Sequence, residues 1–207
     1  SNDPEVEKRG MEIMEKAIQL AEDLGIRIIQ LAGYDVYYEE SSFETKKRFL
    51  KNLKKATHMA EKAGVVLGFE TMETEFMNTV EKAMKYTTLV DSPYLNVYPD
   101  IGNITNAAIE YKNDVLEDMM IGKGHLCAMH LKETVPGKFR EIPFGAGHVN
   151  FKEAIDLAWQ LGIRKYVTEF WYVGNENWKE DLVFAHDMFE KMLDGQMTGK
   201  DEKNVES

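Results

Sequence analysis

The sequence has only one cysteine, Cys127, among its 207 residues, so no disulfide can form within the chain. It also lacks any run of basic residues, and 36 acidic side chains outnumber 25 basic ones, which gives a formal net charge of −11. Nucleic-acid backbones and anionic membranes are bound mainly through clustered basic side chains, so neither is expected as a partner. No apolar run is long enough for a signal peptide or a membrane span, and a cytoplasmic protein is expected.

The composition is that of a globular protein, with 43% hydrophobic and 29% charged residues. A chain of this length can bury a substantial core without disulfides, and it has the usual size of one domain. No linker-like segment divides it. A single domain is therefore predicted over residues 1–194, followed by a polar C-terminal tail over residues 195–207.

Helical and strand patterns alternate along the chain. Apolar residues recur at helical spacing near residues 5–24, 43–63, 76–90, 107–121, 151–161 and 179–193, and short apolar runs that are typical of buried strands lie at residues 26–31, 65–70, 94–98, 125–131 and 165–170. Such alternation predicts parallel strands joined by crossover helices, which is an α/β fold.

Two α/β architectures fit this pattern, an open doubly wound sheet and a (β/α)8 TIM barrel. The glycine-rich phosphate-binding turns of the first, GxGxxG and GxxxxGK[ST], do not occur in the sequence. The barrel is therefore favoured. Because five strands cannot close a barrel that needs eight, three β/α units are expected to be absent from this chain.

Four consecutive predicted strands carry a metal-ligating side chain at or near their carboxyl end. These residues are Glu70, Asp100, His130 and Glu169, spaced by 30, 30 and 39 residues, or about one β/α unit each. In parallel α/β folds the carboxyl ends of the strands meet at the active-site mouth. Three carboxylates and one imidazole suit a divalent ion such as Zn, Mn, Mg or Co.

Each of these residues also has a simpler interpretation. A histidine in an apolar run such as AMHL is more often a hydrogen-bonded core residue, and a carboxylate after a strand is often only the N-cap of the next helix. Buried carboxylates are unfavourable unless they are paired or bound to metal. Four such residues in register with the strand repeat favour a metal centre.

The residues around these positions carry a family resemblance. The segments IRIIQLAGYDVYYEE, GFETM, LNVYPDIGN, AMHLKET, IPFGAGHVNF and VTEFW resemble the sugar-phosphate 3-epimerases of the xylose-isomerase-like TIM-barrel superfamily, namely those of L-xylulose 5-phosphate and L-ribulose 5-phosphate, some of which are labelled hexulose-6-phosphate isomerases. The resemblance implies that the chain carries strands four to eight of the family's barrel and lacks the first three units. It also implies a role in pentose and ascorbate utilisation.

Carried over by this resemblance, the metal ligands are Glu70, Asp100, His130 and Glu169, and the two glutamates are the catalytic acid and base. The implied reaction is epimerisation at C3 of a ketopentose phosphate through an enediolate, with one divalent ion bound to the substrate oxygens. Weaker candidates for contacts to the substrate or its phosphate are Lys132, Lys138, Asn103 and Trp171. Asn103 and Pro136 stand where related free-ketose epimerases have His and Arg, so substrate contacts of those relatives do not transfer.

Three other readings remain open. A metal-dependent aldose/ketose isomerase would use the same ligands and move a different proton. A metal-dependent endonuclease on this fold would require more histidine ligands and a basic face, and the net charge of −11 disfavours it. A catalytically inactive barrel fragment is the third. A homodimer is expected from the resemblance alone.

Overall fold

The computed structural model describes residues 1–198, in which five strands alternate with seven helices. The strands are β1 (Ile28–Ala32), β2 (Val66–Glu70), β3 (Leu95–Tyr98), β4 (Met129–Lys132) and β5 (Tyr166–Glu169). The helices are α1 (Pro4–Leu24), α2 (Phe43–Ala63), α3 (Val80–Val90), α4 (Ile101–Tyr111), α5 (Val115–Ile121), α6 (Phe151–Gln160) and α7 (Trp178–Thr198). Every predicted strand is present, and helices and strands alternate as predicted except that one predicted helix is divided in two.

The largest difference from the sequence prediction concerns the helix expected at residues 107–121, which is two helices. Asp100 caps the first, α4, by accepting a hydrogen bond from the Asn103 amide at 2.9 Å. That helix ends at Lys112, whose φ of 55° is left-handed. Asp114 then caps α5. Apolar periodicity runs through both helices, so it could not reveal the break between them.

The final helix is longer than predicted. Helix α7 continues to Thr198, so residues 195–198 of the segment predicted as a polar tail are helical, and residues 199–207 lie outside the described residues. None of the helices within residues 1–198 has the length and hydropathy of a bilayer-spanning segment.

All strands run parallel. The structure pairs β1 with β2 and β2 with β3 in one sheet, and β4 with β5 in a second. Isolated parallel bridges, Val97 with Leu126 and Asp100 with His130, connect the two sheets, and the His130 amide donates to the Pro99 carbonyl at 2.9 Å. The five strands therefore follow one another in chain order, as in part of a parallel barrel.

The strand register and the alternation of side chains along each strand place the polar residues at the strand ends on the same face. Leu67 and Phe69 on β2 are fully buried in the apolar core between strands and helices, so Gly68 and Glu70 face the opposite side. A Cβ on Gly68 would lie 2.7 Å from the Cys127 sulfur, which is why only glycine fits there. Glu70 pairs with Tyr98 on β3. The inner face at the carboxyl ends of the strands is consequently lined by polar side chains.

Candidate metal centre

Four side chains, each in or just after one of four successive strands, converge at the carboxyl end of the sheets. Glu70, Asp100, His130 and Glu169 each offer a ligand atom, and these atoms all lie within 4.8 Å of one another. Nδ1 of His130 lies 2.7 Å from Oε1 of Glu70, 2.7 Å from Oε2 of Glu169 and 3.9 Å from Oδ2 of Asp100. The structure thus brings together the four residues that the strand-end pattern singled out.

Local structure fixes the orientation of Asp100 and His130. Asp100 is fully buried, and its Oδ1 is held by the first turn of α4 through the Asn103 amide. Its backbone amide donates to the Thr71 hydroxyl at 2.9 Å. The His130 ring packs edge-on against Tyr98 at 4.7 Å between ring centres. Asp100 therefore points to the cluster from the start of α4, and His130 points to it from β4.

Lys132 and Gln30 complete the polar environment. Nζ of Lys132 lies 2.6 Å from Oδ2 of Asp100, and its side chain is only 6% exposed. The Gln30 amide donates to the second oxygen of Glu70. Gln30 was not among the residues predicted for the site, although it is the only polar residue within the apolar strand IIQLA.

The charged groups of the cluster shift one another's protonation. Burial alone would raise the pKa of Glu169, but the contact with His130 and the charge of Lys132 lower it to about 2. Burial alone would lower the pKa of His130, but its contacts with Glu169 and Glu70 raise it to about 9. Complete burial raises the pKa of Asp100 against the attraction of Lys132. The positive charges of His130 and Lys132 thus oppose the effect of burial on the pKa of Glu169, and that of Lys132 opposes it on the pKa of Asp100.

The donor set fits a divalent cation. Oδ2 of Asp100 and Oε2 of Glu169 are buried and accept no hydrogen bond of normal geometry from the described residues, although cationic groups lie beside both. Buried carboxylate oxygens of this kind are unfavourable unless a cation satisfies them. One imidazole and three carboxylates form a hard to borderline ligand set that suits Mn, Mg, Zn or Co.

The four residues considered for substrate contacts lie in different surroundings. Lys132 lies in the cluster itself, whereas Lys138 is exposed on the loop after β4. Asn103 is fully buried, and its side-chain amide donates to the Thr71 carbonyl at 2.7 Å. The Trp171 ring centre lies 5.7 Å from Nζ of Lys132, and the Arg140 guanidinium lies at the same distance from that ring.

A buried glutamate that the sequence analysis did not consider holds the loop after β4. The Glu133 carboxylate is 3% exposed as a residue and accepts hydrogen bonds from the backbone amides of Thr134, Gly145 and Val149 at 3.1–3.2 Å. Three amide donors satisfy the buried charge. The signal in the sequence is a second charged residue directly after Lys132, at the point where the strand ends.

Replacing Gly147 with alanine is expected to destabilise this loop. A Cβ at this position would collide with the Glu133 carboxylate and the Thr134 carbonyl, both of which are held by other contacts. We expect the free energy of unfolding to fall by about 1–3 kcal/mol in urea titrations. The matched control is Gly195→Ala, where a Cβ meets nothing within 4 Å and the helix interior favours alanine. Equal stability of the two variants would contradict a role of the Glu133 contacts in holding this loop.

Comparison with known proteins gives a consistent family. The family model described as xylose isomerase-like TIM barrel matches residues 1–188. The chain is 43% identical over 188 residues to a protein of Escherichia coli named L-ribulose-5-phosphate 3-epimerase UlaE. That alignment covers 90% of this chain and 65% of the relative, so the chain spans slightly less than two thirds of the relative's length.

Solved structures share the fold at lower identity. A protein titled D-tagatose 3-epimerase-like superposes with a TM-score of 0.79 at 19% identity, over 94% of this chain and 72% of that one. A structure titled L-ribulose 3-epimerase superposes with a TM-score of 0.75 at 19% identity, over all of this chain and 74% of that one. At these identities the likeness supports the TIM-barrel architecture and leaves the chemistry to be argued from the site.

Proposed function

Because the chain belongs to the xylose isomerase-like TIM barrel family, we propose that it carries the metal-binding and proton-transfer residues of a ketopentose-phosphate 3-epimerase. Its substrates would be L-ribulose 5-phosphate and L-xylulose 5-phosphate. The observation that carries the proposal is the contact of one His130 nitrogen with both Glu70 and Glu169 at 2.7 Å, with Asp100 beside them. The relative at 43% identity bears the name of this activity.

One divalent ion is proposed as the cofactor, held by Glu70, Asp100, His130 and Glu169. When bound, such an ion stabilises negative charge on the oxygens of a ketose and orients them. The chain contributes rigid ligands, since three of the four side chains come from strands and the fourth caps a helix. Asp100 and His130 serve only as ligands in this proposal.

Glu70 and Glu169 are proposed as the two groups that move the C3 proton. Epimerisation requires removal of a proton from one face of C3 and return of a proton to the other face, with an enediolate between the two steps. Two carboxylates at one site can do this, and each general acid or base typically contributes roughly 10²- to 10⁴-fold to the rate. The contact with His130 and the charge of Lys132 lower the pKa of Glu169 despite burial, so this side chain is an ionised carboxylate at neutral pH.

The loop after β4 and the segment after β5 are proposed to face the rest of the substrate. Trp171 would pack against the sugar, and the exposed Lys138 would approach the phosphate. Asn103, being buried and hydrogen-bonded to Thr71, would act on the substrate only through the shape of the pocket. Lys132 lies in the cluster itself, 2.6 Å from Oδ2 of Asp100, and stays a weaker candidate for a contact to the substrate.

The relation of this chain to the complete barrel is also a proposal. We assign β1 to β5 to strands four to eight of the family's barrel, in agreement with the 65% coverage of the relative. Three further β/α units would then lie between the open edges of β5 and β1. A cytoplasmic location is the prediction from the composition, and a homodimer is the prediction from the resemblance. Light scattering at several concentrations measures the oligomeric state.

The function is tested by hydrogen exchange at C3. The purified chain is incubated with Mn²⁺ and L-ribulose 5-phosphate in D₂O, and the products are followed by NMR. We expect L-xylulose 5-phosphate to form with deuterium at C3, because the proton returned to the sugar comes from a carboxyl group that exchanges with solvent. Chelation by EDTA is expected to stop the reaction.

The alternative functions predict different results in the same experiment. Formation of an aldose, or hydrogen transfer between C1 and C2, would instead indicate an aldose/ketose isomerase. Bound Mn²⁺ without any exchange at carbon would indicate an inactive barrel fragment. Absence of both metal binding and exchange in a folded preparation would refute the proposal.

A further inference from the structure

Lys132 has an unusual position for a lysine. It ends β4 two residues after His130, so the two side chains share a face, whereas Leu131 between them is buried in the apolar core. The side chain is only 6% exposed. A lysine charge is rarely buried unless it is paired, and the surroundings of Nζ therefore indicate what it does.

The ammonium group lies between two of the proposed ligands. Nζ is 2.6 Å from Oδ2 of Asp100 and 3.8 Å from Oε1 of Glu169, and the Trp171 ring lies on a further side. Lys132 is also the strand partner of Glu169 in the β4–β5 register. It thus links the carboxylate that follows β3 to the carboxylate that ends β5.

The charges of the site balance only when Lys132 is counted. Glu70, Asp100 and Glu169 supply three negative charges, His130 is neutral as a ligand, and a divalent ion supplies two positive charges. Lys132 supplies the third. Without it a desolvated site would hold one excess negative charge, at the place where proton removal from C3 transfers negative charge to the sugar. An excess charge of this sign opposes the reaction.

We propose that Lys132 is a positioning residue that holds Glu169 in place and makes the metal-loaded site electrically neutral. This role rests on the epimerase proposed above. Asp100 keeps its orientation without Lys132, because its other oxygen is fixed by the Asn103 amide. Loss of the lysine should therefore change the net charge of the site and the position of Glu169, and leave the other three ligands in place.

The test variant is Lys132→Met, which keeps the length and apolar stem of the side chain. Mn²⁺ titration of the full chain is expected to show binding at least about tenfold tighter, because a positive charge close to the ion is removed. With L-ribulose 5-phosphate, kcat is expected to fall about 10- to 100-fold with little change in KM. Lys132→Arg, which keeps the charge, should lie closer to the wild type in both measurements.

A purely structural role predicts something else. Lys132→Met would then bind Mn²⁺ more weakly and melt at a lower temperature even at saturating Mn²⁺, and either this result or an unchanged kcat would overturn the proposal. Lys123→Met is the matched control, since Lys123 is an exposed lysine before β4, at the opposite end of the strands. If the wild type lacks epimerase activity, the proposed function fails, and the Mn²⁺ titration alone decides on Lys132: unchanged or weaker binding refutes it.

Discussion

Glutamine in place of Glu169 is expected to reduce epimerisation by about 10²- to 10⁴-fold. The substitution keeps the shape of the side chain and one oxygen that can bind a metal ion, but it removes the group that accepts a proton. Glu70 remains, so at saturating Mn²⁺ one of the two epimers should still exchange its C3 proton with solvent without being converted. Glu70→Gln should show the same behaviour with the other epimer. NMR in D₂O, started separately from each epimer, measures both rates.

This prediction has a matched control in Glu110→Gln, an exposed glutamate on α4. The control should keep the wild-type rate with both epimers. Equal loss of exchange from both epimers in Glu169→Gln would show that the two glutamates do not act on separate faces of the sugar. An unchanged rate would remove Glu169 from the proton transfer.

Asparagine in place of Asp100 is expected to weaken Mn²⁺ binding at least about 100-fold and to abolish the metal-dependent reaction. The amide still caps α4, because asparagine is as good an N-cap as aspartate. The variant loses the negative charge, however, and leaves the buried Lys132 ammonium without its closest partner. Calorimetric titration with Mn²⁺ measures the loss of metal binding. A thermal melt measures the loss of stability caused by the unpaired ammonium.

The comparison variant is Asp91→Asn, which changes the same residue type at an exposed helix C-cap after α3. Asparagine tolerates the left-handed conformation there, so neither metal binding nor stability should change. Wild-type affinity in Asp100→Asn would exclude Asp100 from the ligands.

The strand repeat and the strand-end residues could be predicted from the sequence because each depends only on residues that are neighbours along the chain. Short apolar runs mark buried strands, and a polar residue that ends such a run must lie at the mouth of a parallel fold. This reasoning selects Glu70, Asp100, His130 and Glu169 without any knowledge of distances. Only the structure shows that Nδ1 of His130 contacts two of the carboxylates.

Features that depend on tertiary contacts could not be read in the same way. From the sequence, Lys132 is only a weak candidate for a substrate contact after the predicted strand, yet strand alternation turns it to the inner face beside Asp100. Glu133 has no motif, because its partners are backbone amides up to 16 residues away. The break between α4 and α5 at Lys112 depends on one left-handed residue within a continuous apolar pattern.

Among residues 1–198, backbone strand pairing between the two sheets is limited to two isolated bridges, and the cluster lies across that junction. Glu70 and Asp100 belong to one side, and His130 and Glu169 belong to the other. An ion bound by all four side chains would cross-link the two sheets. The stability of the fold and catalysis would then depend on the same ion. A shortage of that metal would lower both the amount of folded protein and the activity.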